Sequence, residues 1–195
     1  MEFKQRRRGA AGIIIAIVAI IALALFILVP SYNGLVKQKE QLDQSYAQVQ
    51  NVVQRRADLI PNLVNTVKGY SDHEKDTLTE ITKARAGIEE AEGPKELAEA
   101  NENMNQALRN INVVAEAYPE LKADSQFTQL MDELAGTENR ISVERKNYNE
   151  EVRNYNTKVK SFPTSIFASI MGFDKAEYFE ADASAQDAPT VDFGS

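Results

Sequence analysis

The chain has 195 residues, with 22 Lys and Arg against 29 Asp and Glu, a net charge of −7, one histidine and no cysteine. Without cysteine there is no disulfide and no lipid-modified cysteine anchor, and one histidine rules out a histidine-based metal site or catalytic triad within one chain. Four of the cations and one of the acids precede residue 30. The remainder therefore carries 18 cations against 28 acids, which repels phosphate backbones and predicts no nucleic-acid partner.

Residues 1–9 form a basic segment with Lys4, Arg6, Arg7 and Arg8. Residues 10–29, A-A-G-I-I-I-A-I-V-A-I-I-A-L-A-L-F-I-L-V, hold neither charge nor proline. As a helix they reach about 30 Å, the thickness of a bilayer's hydrocarbon core, which predicts a transmembrane helix. A cleaved secretory signal also begins with cations and is cut after small residues such as Ala22-Leu23-Ala24. Here the apolar run continues through residue 29, which favours an uncleaved anchor. A buried core helix of a soluble protein is a third reading. The cations before the span outnumber Lys37 and Lys39 after it, which puts the N-terminus in the cytoplasm and the large domain outside.

Residues 31–162 read as a helical bundle domain. On the first helix, Leu42, Val49, Leu63 and Tyr70 lie on one line of a seven-residue pattern, and Tyr46, Val53, Ile60 and Val67 on the other. The same phase runs back through Leu35 and Leu28, so the membrane helix is expected to continue into the domain, bent at Pro30 and kinked at Pro61. Gly69 stops it. Ser71 and Glu74 make a capping box for a second helix, about 72–91, with Leu78, Ile81 and Ile88 inward.

Gly93-Pro94 then breaks the chain and starts a third helix, about 94–117, with Leu97, Met104, Leu108, Ile111 and Ala115 inward and Pro119 closing it. Asp124 or Ser125 caps a fourth, whose inward residues Phe127, Leu134, Ile141, Tyr148, Tyr155 and Phe162 recur every seven positions until Pro163. The expected fold class is all-α: an N-terminal transmembrane helix continuing into an antiparallel up-and-down four-helix bundle, with two long and two short helices.

Such a course returns Phe162 to the membrane surface. Residues 163–173 are uncharged, and Ile166, Phe167, Ile170, Met171 and Phe173 form a candidate membrane-interface segment; folding back over the lower bundle is the competing reading. Residues 174–195 are acidic and rich in small residues, and are expected to be largely disordered.

Three charges occupy seam positions: Arg56, Glu138 and Arg145. With the two long helices antiparallel and level at Ser31 and Phe162, residue n faces residue 193 − n. This pairs Arg56 with Glu138 in a structural ion pair whose expected use is to fix register. The run from 139 to 156 is rich in asparagine, a poor helix former. Together with Arg145, Asn149, Asn154 and Asn156 are expected to serve packing or a partner surface. His73-Glu74 lacks the second histidine of a zinc helix, and the acids of the middle helices read as a solvated face. No nucleophile with a base, no phosphate-cradling loop and no paired-carboxylate site emerges, so catalytic residues, metal ligands, cofactors and a small-molecule substrate are all expected to be absent.

The motifs Y-N-G-L-V (32–36), Q-V-Q-N-V-V-Q-R-R-A-D-L-I-P-N-L-V (48–64), K-G-Y-S-D-H-E (68–74), A-Y-P-E-L-K-A (117–123), E-L-A-G-T-E-N-R-I (133–141), Y-N-E-E-V-R-N-Y-N (148–156), F-P (162–163) and A-P-T-V-D-F (188–193) resemble the LemA family, over nearly all of the chain after residue 30. The resemblance implies a bacterial single-span protein of the cell membrane with a helical-bundle domain and no catalytic set to transfer. A relative associated with a magnetic organelle's membrane implies a part in membrane organisation.

The sequence thus predicts a membrane-anchored scaffold or interaction protein whose partners are membrane lipids and either a second copy, through Gly9, Gly12 and the alanine-rich face of the span, or another membrane protein. The alternative is an adaptor or regulator of a membrane-bound enzyme such as a protease.

Overall fold

The structure, a computed structural model, describes residues 3–70, 74–166 and 168–180. Among them every regular element is helical and no strand occurs: α1 (Phe3–Lys68), α2 (Lys75–Glu90), α3 (Pro94–Ala117), α4 (Pro119–Lys122), α5 (Ser125–Lys160) and a 3₁₀ turn, Thr164–Ile166. The chain divides into two compact units. One joins Met1–Gln41 to Arg153–Ala176, the other Leu42–Val152 to Glu177–Ser195, so α1 and α5 contribute to both.

In the second unit, the 3-and-4 spacing of apolar residues becomes a set of buried stripes. Val49, Val53, Ala57, Ile60, Leu63 and Val67 of α1 are all at most 1% exposed. Each Leu or Ile removed from water in this way stabilises the fold by about 1.5–3 kcal/mol. Pro61 falls within this run of sequence but on the exposed side, and α1 continues through it, as it does through Pro30. Buried Ile60 and Leu63 on either side hold the turn against the roughly 3 kcal/mol that a helical proline costs.

Leu78, Ile81, Ala84 and Ile88 face inward from α2, and Leu97, Met104, Leu108, Ile111 and Ala115 from α3. The two helices approach closely at Gly87, where an added Cβ would already touch that of Ala100 at 3.9 Å. Their junction is capped through Glu96, whose carboxylate accepts from the Glu92 amide at 2.9 Å, with Pro94 in the first turn where its missing N–H costs nothing.

Asp124 caps α5, its Oδ1 accepting from the amides of Gln126 and Phe127, each at 2.8 Å. Its other oxygen accepts from the Tyr70 hydroxyl at 2.7 Å. Contacts between the two long helices descend α5 as they climb α1. The Tyr46 and Tyr148 rings lie 5.4 Å apart, Arg56 meets Glu138, and Tyr70 meets Asp124, with equal steps on both sides. The two helices run in opposite directions through this unit.

In the first unit, residues 14–29 of α1 turn Ile, Val, Leu and Phe outward on every side, and none of this apolar window is buried. Beyond it Leu35, Tyr155, Val159 and Ala168 form a small core. Lys158 Nζ donates to the Gly34 carbonyl at 2.7 Å, an approach that Gly34 permits, since a Cβ there would lie 2.8 Å from the nitrogen. The Tyr32 and Phe173 rings meet edge to face at 5.7 Å. Gly172 adopts φ +78°, which an L side chain rarely does, and lets the chain reverse so that the Phe173 amide reaches the Ala168 carbonyl at 2.9 Å.

The structure corrects several expectations. Phe162 is 82% exposed because α5 ends at Lys160, so the seven-residue phase no longer orients it. Tyr70, two residues past the end of α1, is likewise exposed. Pro119 opens the four-residue helix α4 as well as following α3, since proline suits a first turn, and Leu121 is buried from it. The second helix begins at Lys75, where Glu74 makes no side-chain cap, while Ser71, Asp72 and His73 lie outside the described residues. Arg145 is exposed, because the stripe of α5 passes from Ile141 through half-buried Glu144 to Tyr148 and leaves the next residue a further 100° round.

Candidate functional site

Two polar constellations stand out, and both are built on the residues that a helical seam would normally fill with hydrocarbon. The first is a layer within the second unit. The Arg56 guanidinium, on α1, is 4% exposed and donates through one nitrogen to Asn101 Oδ1 of α3 at 3.0 Å and to Glu138 Oε2 of α5. The other Glu138 oxygen accepts from Asn105 at 3.4 Å; Asn105 also donates to Glu102, which accepts from Arg109 at 3.3 Å.

Three helices are therefore joined by one chain of hydrogen bonds. The pair is uneven: Glu138 is 38% exposed and keeps contact with water, whereas Arg56 does not, and Arg56 Nε is buried with no hydrogen bond. Burial holds the Arg56 pKa below its ordinary value, with the Glu138 charge opposing that shift. Asn101 is also buried, and Thr137 beside Glu138 turns its hydroxyl onto the Leu134 carbonyl at 2.8 Å.

The second constellation is made by the asparagines of α5 and the segment after it. In the second unit, the Asn149 amide pairs with the backbone of a single residue, accepting from Phe179 N at 2.8 Å and donating to its carbonyl at 3.3 Å. The Tyr148 hydroxyl donates to the Glu177 carbonyl at 2.8 Å, and the Phe179 ring is 2% exposed. Burial raises the Tyr148 pKa well above the ordinary phenol value, with Tyr46, Asp43 and Glu177 adding to it, so the hydroxyl stays a donor.

In the first unit, Asn156 grips Ala176 in the same two-handed way, at 2.8 and 2.9 Å. Asn154 is exposed. Residues 174–180 form no helix or strand, yet this strap is held at Ala176, Glu177 and Phe179, contrary to the disorder that its composition suggests, because side chains of α5 satisfy backbone groups that no regular element pairs. Residues 181–195 lie outside the described residues.

Of the candidate interface residues, Ile166, Ile170 and Met171 are exposed, Phe173 is half-buried against Tyr32, and Phe167 lies outside the described residues. Surface grooves of 290 to 460 Å³ occur in the second unit, one of them lined by Glu80, Gly87, Ala100 and Asn110, but none is lined by Arg56, Asn101 or Glu138. Among the described residues no cluster of three acids or histidines is placed to hold a metal ion. The polar layer links α1, α3 and α5 through Arg56, Asn101 and Glu138, with Glu138 open to water.

These features define an all-helical protein with one N-terminal helix long and apolar enough to cross a bilayer, which fits a membrane protein. Residues 45–193 match the LemA family, and the chain belongs to that family. It is similar to magnetosome protein MamQ 2 of Paramagnetospirillum magneticum, 26% identical over 220 residues that cover 98% of this chain and 80% of the relative. Magnetosome protein MamQ of Magnetospirillum gryphiswaldense is 24% identical over 221 residues with the same coverage. Protein LemA of Metamycoplasma hominis is 26% identical over 133 residues, 66% of this chain and 59% of that protein. The family match takes in the polar layer and the strap.

Proposed function

We propose that the protein is a single-pass, membrane-anchored scaffold: residues 10–29 cross the bilayer, the N-terminus is cytoplasmic, and residues 31–162 stand outside as an up-and-down four-helix bundle. The observation that carries this reading is the nature of α1. Its residues 14–29 present hydrocarbon all round with no protein packed on them, while its later turns are built into a core. Lipid around the first stretch would keep this hydrocarbon from water.

The opposed order of contacts between α1 and α5 supports the bundle. In this reading the Arg56–Asn101–Glu138 layer fixes register, since a slip of either long helix leaves a buried guanidinium without its carboxylate. Two relatives are named as magnetosome proteins, and a part in organising a membrane agrees with the apolar span of this chain.

The test is the mass of the full chain extracted in mild detergent, with identification of whatever copurifies. A discrete self-assembly is expected. A stoichiometric heterologous partner would move the reading to an adaptor, and a lone monomer would remove the scaffold. A reporter active on one side only, fused after residue 195, is expected to be silent in the cytoplasm.

A further inference from the structure

The first unit carries an exposed apolar surface that the span itself does not explain. Between Lys160 and Asp174 there is no charged residue. In this stretch Phe162, Ile166 and Ile170, four residues apart, are 82%, 64% and 84% exposed, with Met171 beside them at 43%. They are displayed by a folded turn. Thr164 and Ala168 point inward and are buried, the Ala168 amide bonds to the Thr164 carbonyl at 2.9 Å, and the Gly172 reversal brings Phe173 back onto Tyr32. A turn held in this way that spends its fold on showing four large hydrocarbons needs something apolar to receive them.

Its position says what that is. Tyr32, the residue that Phe173 touches, lies three positions beyond Val29, the end of the apolar run, which is about 4.5 Å along the helix axis. Lys158, two residues before α5 ends, is bonded to Gly34. The turn is therefore level with the point where α1 leaves the hydrocarbon, in the headgroup zone that adds about 5–7 Å on each side of a bilayer's core. We infer that Phe162, Ile166, Ile170 and Met171 form an interfacial foot that inserts into the headgroup and acyl boundary of the same leaflet from which α1 emerges. This rests on the reading that residues 10–29 span the membrane. The foot gives the first unit a second attachment, and with it a fixed tilt and rotation on the membrane surface that one helix alone would not impose.

Because the chain has no native cysteine, single labels read the depth directly. Full-length protein in phosphatidylcholine–phosphatidylglycerol nanodiscs would carry an environment-sensitive fluorophore at Ile166→Cys, Ile170→Cys, Ile20→Cys or Val143→Cys, the last an exposed position on α5. Lipids with a nitroxide near the headgroup are expected to quench 166 and 170 to about half, and to leave 143 untouched, while deep nitroxides quench 20. Quenching at 20 without quenching at 170 would overturn the foot and leave the span intact. Loss of quenching at both would remove the span and the foot together. Brightening at 170 without lipid quenching, growing with protein density, would mean that a second copy covers the patch, and would also overturn the proposal.

Discussion

In the unit built from Leu42–Val152 and Glu177–Ser195, charge lies inside: Arg56 is enclosed by three helices and answered by Asn101 and Glu138. In the unit built from Met1–Gln41 and Arg153–Ala176, hydrocarbon lies outside, on the bare flanks of α1 and on the turn that shows Phe162, Ile166 and Ile170. Both depart from the rule that oil is buried and charge is wet. They differ in how they are compensated. The inner charge is answered, except at Arg56 Nε, by side chains of the same chain; the outer hydrocarbon stays exposed in its own unit.

The sharpest way to break this comparison is to remove one member of the inner layer. Glu138→Ala leaves Arg56 buried without its carboxylate and is expected to cost about 3 kcal/mol, the lower end for such a loss because Glu138 is itself partly wet. Arg56→Met should cost less, since Glu138 can turn to water, and adding it to Glu138→Ala should recover most of the loss. Denaturant unfolding of the full chain in mild detergent, followed by circular dichroism, measures all three. Strictly additive effects would show that the layer is not a coupled unit.

Next in size is Asn149→Ala, which leaves the amide and carbonyl of Phe179 without partners and should weaken the hold on the strap by about 1–2 kcal/mol. Amide exchange at residues 177–180 is then expected to rise about tenfold, whereas Asn154→Ala should change nothing beyond about 0.5 kcal/mol.

The α5 tyrosine that holds the same strap gives a test in alkali. The Tyr148 pKa is raised in the folded state, so its contribution is fully present below the unfolded phenol value of 10.0 and is lost as pH rises from there through the folded value. Tyr148→Phe should flatten that alkaline loss, and the difference absorbance at 295 nm between the two proteins should place the Tyr148 ionisation above pH 10.

Asp124 behaves in the opposite sense. The Phe127 amide, then the Tyr70 hydroxyl, holds its carboxyl below the ordinary value of 3.8, so its help to α5 is present above that pH and disappears as pH falls through the lower folded value. Asp124→Ala should remove that part of the acid limb of the melting temperature. The smallest effect belongs to the outer hydrocarbon. Ile170→Ser in detergent is expected to shift stability by no more than about 0.5 kcal/mol, because the side chain is 84% exposed and touches little of its own unit.

What the sequence made legible was whatever repeats locally. The stripe from Val49 to Val67, the limits of α3 at Gly93-Pro94 and Ala117, and the cap at Asp124 all follow from spacing and caps that act within one or two turns. The placing of Phe162 and Arg145 inward failed where the period itself ended or drifted, at the end of α5 and in the step from Ile141 to Tyr148.

The strap was hidden for a different reason. Asn149 and Asn156 stood out as odd residues for a helix, but their partners are the backbone groups of Phe179 and Ala176, 30 and 20 residues away, in a stretch whose acidic, small-residue composition resembles a solvated tail. Backbone has no letter in a sequence, so only the receiving asparagines could have been noticed.

That reliance on backbone has a consequence for how such a tail can change. Asn149 and Tyr148 touch the main chain of residues 179 and 177, and the side chains of Glu177 and of the intervening Tyr178 are exposed. The latch therefore tolerates almost any vocabulary at those two places, provided that a large ring sits two residues beyond the carbonyl that the phenol holds. What the fastening fixes is the path of the main chain over the helix, not the side chains at those two places.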